Sequence, residues 1–377
     1  MDTEGSGKSH NFGKPAIPVV HANLKAMAVI ERMIERMIDN LGHVWLFTQP
    51  LDQRGGCARA GKRDHIGPHL PYQVGGSPFD GQLTLIDSLI PTYGGNVWNV
   101  EPIKDEVRIN ISDVRDPYAI KHLISGQHFL FNLAGQTSHV DSMENPQTDL
   151  AINAQAQLHI LEACRHHNPD IKVVFASTRQ IYGRPIAIPV NEDHPLDPVD
   201  INGIHKLAAE QYHRIYNNVY GIRAVILRLT NTYGPRMRVV DARQTFLGIW
   251  IRRLLEGQPI LVYGDGAQLR DYNYVDDVVD ALLLAASSDL CDGEVLNLGS
   301  KEAFSLTETA KVFLKLEPNG EVQYVPFPHD RLVIDIGDYQ GDFSRIASRL
   351  GWAPKVSFEE GLARTIAYYK EYHDKYW

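Results

Sequence analysis

The chain has 377 residues, 44% of them hydrophobic, enough to fill the core of one large α/β domain with a smaller companion. A formal net charge of −9 excludes a nucleic-acid partner, because such binding is driven by counterion release at a basic surface. There is no run of about eighteen apolar residues and no basic start with a small-residue cleavage site, so no membrane contact and a cytoplasmic location are expected.

The first 81 residues contain one amphipathic helical pattern, "LKAMAVIERMIERMIDNLG", one short apolar run, "HVWLF", and then a Gly-, Pro- and Arg-rich stretch without a clear period. "GSGKS" at residues 5 to 9 resembles the end of a phosphate-binding loop but has neither a preceding strand nor the upstream glycine, and reads as a tail. Cys57, Cys164 and Cys291 lie far apart without metal-ligand spacing, so neither a disulfide framework nor a metal site is predicted.

From residue 82 onward the pattern changes. "QLTLID", "HFLFNLAG", "IKVVFAS" and "AVILRL" read as strands covered on both faces, being apolar almost throughout. "DPYAIKHLISG", "TDLAINAQAQLHILEACRHH" and "INGIHKLAAEQYHRIYNNVYG" read as the crossover helices between them. This alternation predicts an α/β fold, a Rossmann-type doubly wound parallel sheet, over residues 82–235. Residues 236–377, with shorter elements, are expected to form a smaller substrate-binding region interleaved with that core.

In such a sheet ligands bind at the carboxyl ends of the strands. Asp87 closes "QLTLID", where a carboxylate accepts hydrogen bonds from ribose hydroxyls and repels a 2′-phosphate, favouring NAD over NADP. An acidic loop cap is an equal alternative. Asp113, at the next strand-to-helix turn, either reaches an adenine or caps the helix. Ala134 and Gly135 in "FNLAGQTS" allow close backbone approach. Ser177 and Thr178 end the central strand and offer a hydroxyl to a substrate, or form a turn.

Taken together, "LAGQTS", "FASTRQIYG", an x₃-Lys on the next helix, "RLTNTYGPR", "VYGDGAQLRDYNYVDDVVDAL" and "LGWAPKVSFEEGLARTIAYY" resemble the NAD-dependent epimerase/dehydratase family of extended short-chain dehydrogenase/reductases, as in the UDP-glucose 4-epimerases. The resemblance covers roughly residues 82 to 373. It implies an enzyme with NAD as cofactor, a nucleotide sugar as substrate and a homodimer paired through two helices. It also implies that Asp87 holds the adenosine ribose, Asp113 and Val114 the adenine, and that Ala134 and Gly135 line the cofactor path. Thr178 would contact the sugar hydroxyl and Lys206 the nicotinamide ribose. Asn231 and Arg270 would hold the diphosphate, with Tyr263 near the base and Arg331 a further phosphate ligand. For Arg270 the plain alternative is a surface ion pair with Asp271 or Asp276.

Two positions depart from the family pattern. Asn202 stands where a catalytic Tyr is expected four residues before the lysine, and a carboxamide does not ionise near neutral pH. Lys206, His205 or a water held by Thr178 remain as proton carriers, or the hydride chemistry is lost. The Asp-Glu pair of a dehydratase is replaced by Arg179 and Gln180, which favours an epimerase. The family's glycine loop has only "GKRDHIG" as a counterpart, with Gly61 and Gly67 in register but Asp64 between them, so residues 1–81 are expected to be a degenerate or frame-shifted version of the first unit.

Overall fold

The computed structural model describes residues 45–50 and 81–377. The strands β1 (Trp45–Pro50), β2 (Gly81–Asp87) and β3 (Arg108–Ile111) lead to helix α1 (Pro117–Ile124) and strand β4 (Phe129–Asn132). Helices α2 (His139–Glu144), α3 (Pro146–Leu150) and α4 (Ala156–His167) precede β5 (Lys172–Thr178), α5 (Ile201–Tyr220) and β6 (Arg223–Leu229). Next come β7 (Asn231–Tyr233), α6 (Phe246–Leu255), β8 (Ile260–Tyr263), β9 (Leu269–Tyr274), α7 (Val275–Ser287) and β10 (Val295–Asn297). The chain continues through β11 (Ala303–Ser305), α8 (Leu306–Leu316), β12 (Val322–Val325), α9 (His329–Leu332), α10 (Ser344–Leu350) and α11 (Phe358–Tyr372).

Seven strands form the main sheet in the order β10-β6-β5-β4-β1-β2-β3. Residues of one strand alternate between two cores, as period-2 side chains must. Leu83, Leu85, Val174 and Ala176 join the cluster under α7 and α11, whereas Ile86, Val173 and Ala224 join the one under α1 and α4. Helices therefore cover both faces, the doubly wound arrangement, and β5 is buried from Lys172 through Ser177. Each fully buried aliphatic or aromatic side chain contributes roughly 1.5–3 kcal/mol, so this double layer fixes the strand ends that carry the site.

The sheet departs from a uniformly parallel one at its centre. β1, which contains most of "HVWLF", runs antiparallel to both β2 and β4, pairing Trp45 with Ile86 and with Asn132. The carboxyl end of β1 thus lies at the edge opposite to the carboxyl ends of β4, β5 and β6. The helical pattern "LKAMAVIERMIERMIDNLG" and the glycine segment "GKRDHIG" lie outside the described residues.

The single helix expected over "TDLAINAQAQLHILEACRHH" starts earlier, at Pro146, and is interrupted by a π turn over Ala151–Gln155. Asn153 and Gln157 make buried side-chain hydrogen bonds around this turn, the latter donating to the Ile152 carbonyl oxygen at 3.2 Å. Helix α5 is capped by Asp200, whose carboxylate accepts from Gly203 N at 2.6 Å, and ends at Gly221 in the left-handed region with φ 73°. That cap sets the azimuth of Asn202 and Lys206, which both face inward.

Candidate active site

A cavity of about 110 Å³ opens at the carboxyl ends of β4, β5 and β6. Its wall brings together Thr178, Asn202, Lys206 and Asn231 of the residues expected from the sequence. Arg270, Tyr263 and Arg331 are not on that wall.

Lys206 lies one turn along α5 from Asn202 and is buried. Its Nζ donates to the Ala176 carbonyl oxygen at 2.9 Å and sits 4.7 Å from the centre of the Phe175 ring. Burial pushes its pKa down to about 8, against the opposing pull of Asp149 and Glu210. Asn202 is equally enclosed. Its Nδ2 donates to the Gln136 carbonyl oxygen at 2.6 Å and to Asp149 Oδ2 at 3.1 Å, and its backbone N–H donates to Ser142 Oγ at 3.2 Å. His205 does not reach the cavity wall, because its Nδ1 is held by Asp149 Oδ1 at 2.7 Å.

Thr178 ends β5 and starts a single 3-10 turn, Arg179–Tyr182, its Oγ1 accepting from Gln180 N at 3.2 Å. Ser177 Oγ donates to Glu210, which also binds Arg228 through an Nη2–Oε2 contact of 2.8 Å. Arg228 Nη1 donates to Tyr182 Oη at 2.8 Å, and that hydroxyl donates to Asn297 Oδ1 at 2.6 Å. This buried chain of polar groups joins the ends of β5, β6 and β10 to the inner face of α5, making a rigid floor.

The cofactor end expected from the sequence is formed by β2 and β3. Asp87 is buried at the tip of β2, accepting from Leu89 N at 2.8 Å. Burial pushes its carboxyl up to about 7 despite the backbone N–H groups of Leu89 and Ser88. Asp113 accepts three side-chain hydrogen bonds from Arg115, of which Nη2–Oδ2 is 2.6 Å. It is not the helix cap, a role taken by Asp116. Val114 and Ala134 are fully buried. A Cβ on Gly135 would come within 3.0 Å of both Lys206 Nζ and Asn153 Oδ1, so only glycine leaves backbone open beside the lysine. Gly61 and Gly67, expected from the sequence in the glycine loop, lie outside the described residues.

On the substrate side, Asn231 Nδ2 donates to the Asp271 carbonyl oxygen at 2.9 Å, and its Oδ1 accepts from Arg179 Nη2 at 3.0 Å. Arg270 is buried and paired not with Asp271 or Asp276 but with Asp335, at 3.0 Å. The reason is its strand position: alternate residues of β9 face opposite sides, so Asp271 points away and accepts instead from Thr230 Oγ1 and Gly341 N. The Arg331 guanidinium stands 5.9 Å from the centre of the Tyr263 ring, so these two residues meet each other.

Two residues on the cavity wall, His139 and Arg179, have no binding role among the expectations from the sequence. His139, at the start of α2, places Nδ1 2.9 Å from Asp200 Oδ2. Its signal was its place just after the strand-end motif, in "TSHVDS". Arg179 was read only as the loss of a dehydratase acid. Among the described residues no cluster of His, Cys, Asp and Glu could hold a metal, and no helix is long and apolar enough to cross a membrane.

Residues 84–299 match the family model for the NAD dependent epimerase/dehydratase family. The UDP-glucose 4-epimerase of Mycolicibacterium smegmatis is 31% identical over 243 residues, 64% of this chain and 75% of that protein. The crystal structure of UDP-glucose 4-epimerase with UDP-glucose from Thermotoga maritima superposes with a TM-score of 0.70 at 29% identity, over 76% of this chain and 90% of that one. The dTDP-glucose 4,6-dehydratase DesIV of Streptomyces venezuelae, solved with NAD bound, gives 0.70 at 25% identity over 77% and 88%. The sheet, the strand-end site and these likenesses agree: the chain belongs to the NAD-dependent epimerase/dehydratase family of extended short-chain dehydrogenase/reductases.

Proposed function

We propose that this chain is a UDP-hexose 4-epimerase-like enzyme that uses NAD and a nucleotide sugar. The observation that carries this reading is the single cavity joining Thr178, Lys206 and Asn231, with Arg179 and Gln180 where a dehydratase would place its acids. Bound NAD supplies a reversible two-electron oxidation of a sugar carbon. Asp87 accepts the adenosine ribose hydroxyls, Asp113 and Val114 flank the adenine, Ala134 and Gly135 leave room along the path, and Lys206 donates to the nicotinamide ribose. Thr178 orients the sugar hydroxyl, while Asn231 and Arg270 hold the diphosphate, Tyr263 stacks by the base and Arg331 adds a charge beside it.

Asn202 cannot carry the proton, since its amide donates and never ionises in the working range. Lys206, held near pKa 8 at the cavity wall, takes the proton of the sugar hydroxyl and returns it. His205 is excluded from that role by its place off the cavity wall. The engagement of Asn202 by Asp149 and Gln136 favours one second reading, a non-catalytic nucleotide-sugar-binding protein, in which the polar pocket only binds. Ile204, Ile215 and Val219 are exposed along α5, which supports a homodimer through this helix.

The deciding experiment releases and assays NAD(H) from the purified protein, then follows interconversion of UDP-glucose and UDP-galactose. About one NAD per chain with turnover supports the enzyme. Nucleotide-sugar binding with neither NAD nor turnover supports the binding protein.

A further inference from the structure

We propose that Arg179 binds an oxyanion of the substrate, giving the cavity wall a guanidinium contact that Arg270, which lies off that wall, does not supply. This deepens the nucleotide-sugar reading above and rests on it.

Arg179 follows Thr178 directly and forms part of the same cavity wall. Its one hydrogen bond runs from Nη2 to the neutral amide oxygen of Asn231, while Nη1 is closed from solvent and has no hydrogen-bond partner. The Tyr339 ring, 5.3 Å away, is its other neighbour. The nearby carboxylates are committed elsewhere. Asp335 binds Arg270, Gln268 and Gly337 N, and Asp271 binds Thr230 and Gly341 N. Burial, then the like charge of Arg270, push the Arg179 pKa down to about 10, the direction expected of an enclosed cation lacking a close anion.

A guanidinium with an idle buried nitrogen is costly unless a ligand completes it, and its planar fork matches the two oxygens of a carboxylate or phosphate. Arg270 already has a carboxylate partner in Asp335 and donates to the carbonyl oxygens of Leu269 and Gly337, whereas among the described residues Arg179 has no carboxylate within hydrogen-bond distance. Two groups of a nucleotide sugar offer this chemistry: the diphosphate, and the carboxylate of a sugar acid.

Calorimetric titration of the full chain with UDP, UDP-glucose and UDP-glucuronate, before and after Arg179→Gln, tests the proposal. A loss of tenfold or more for UDP-glucuronate, with UDP and UDP-glucose within twofold, identifies the carboxylate. An equal tenfold loss for all three identifies the diphosphate. Affinities unchanged within twofold in the folded variant overturn the proposal. A wild-type protein that binds none of the three overturns the nucleotide-sugar reading itself. Should Arg179→Gln not fold, Arg179→Met, which keeps the stem against Tyr339, is titrated in its place and judged by the same thresholds.

Discussion

Asn202 Nδ2 lies 3.1 Å from Asp149 Oδ2, and through that carboxylate it is joined to His205 and Asn153. The amide, at the position where the sequence resemblance expects a tyrosine, is therefore a cross-link between α5 and α3, with a further bond to the Gln136 backbone. Asn202→Tyr removes donors from two buried acceptors and forces a ring into a position only 2% exposed. Each effect costs about 1–3 kcal/mol. The expected outcome is a lower denaturation midpoint, measured in urea, and no gain in epimerase rate. A faster variant of unchanged stability would mean that the chain is an epimerase lacking only its tyrosine.

Lys206 couples activity to stability. Its native pKa near 8 lies below the 10.5 of the unfolded chain, so between those values the unfolded state binds more protons and stability rises with pH. Below pH 8 the full penalty is present, at most about 3 kcal/mol. Lys206→Met should accordingly be more stable at pH 7, should lack the stability slope from pH 8 to 10.5, and should retain less NAD. In the wild type the rate should climb toward pH 8 and level off above it, as the amine becomes able to accept a proton. Unchanged NAD occupancy in the variant contradicts the cofactor role.

Much of the site was legible because strand ends are legible. "QLTLID" and "IKVVFAS" are apolar runs with an abrupt polar end, and that end is what a doubly wound sheet delivers to its edge, so the strand-end positions of Asp87 and Thr178 follow from the sequence. The direction of β1 was not legible, since an apolar run such as "HVWLF" pairs equally well either way and carries no directional mark. The partner of Arg270 was hidden for another reason. Asp335 is far along the chain, and local spacing favoured Asp271, which the strand pleat turns to the other face. His139 and Arg179 were missed because a lone imidazole or guanidinium acquires meaning only from groups brought beside it by packing.

Asp87 predicts how cofactor binding depends on pH. The ribose hydroxyls donate, so the ionised carboxylate is the binding form, and with a native pKa near 7 its population grows about tenfold from pH 6 to well above 7. NAD affinity, measured by calorimetry, should rise over that interval with release of a proton. Asp87→Asn should bind NAD about tenfold more weakly at pH 8 and show a flat profile. The same raised pKa means that the native state holds more protons between 3.8 and about 7, so wild-type stability falls as pH rises through that window, whereas the variant should show no such fall. Identical pH profiles for both proteins would remove Asp87 from the cofactor site.

The buried pair of Glu210 and Arg228 separates support from chemistry. Both side chains are almost fully enclosed, 0% and 4% exposed, and burial of the guanidinium is more than offset by the charge and hydrogen bonds of Glu210, so its pKa lies above the ordinary range. Glu210→Gln leaves that cation without its carboxylate and a single acceptor oxygen for Arg228 and Ser177 to share, for an expected loss of about 3–5 kcal/mol. Replacing both partners, Glu210→Gln with Arg228→Met, removes the stranded charge, so the double variant should be more stable than the single one despite carrying two changes. Neither residue is on the cavity wall. The double variant should therefore bind UDP-glucose within a few-fold of the wild type while its floor, and with it the orientation of Thr178 for turnover, is loosened. A double variant no more stable than Glu210→Gln alone would show that Arg228 is held chiefly by Tyr182 and that the ion pair is not what organises the floor.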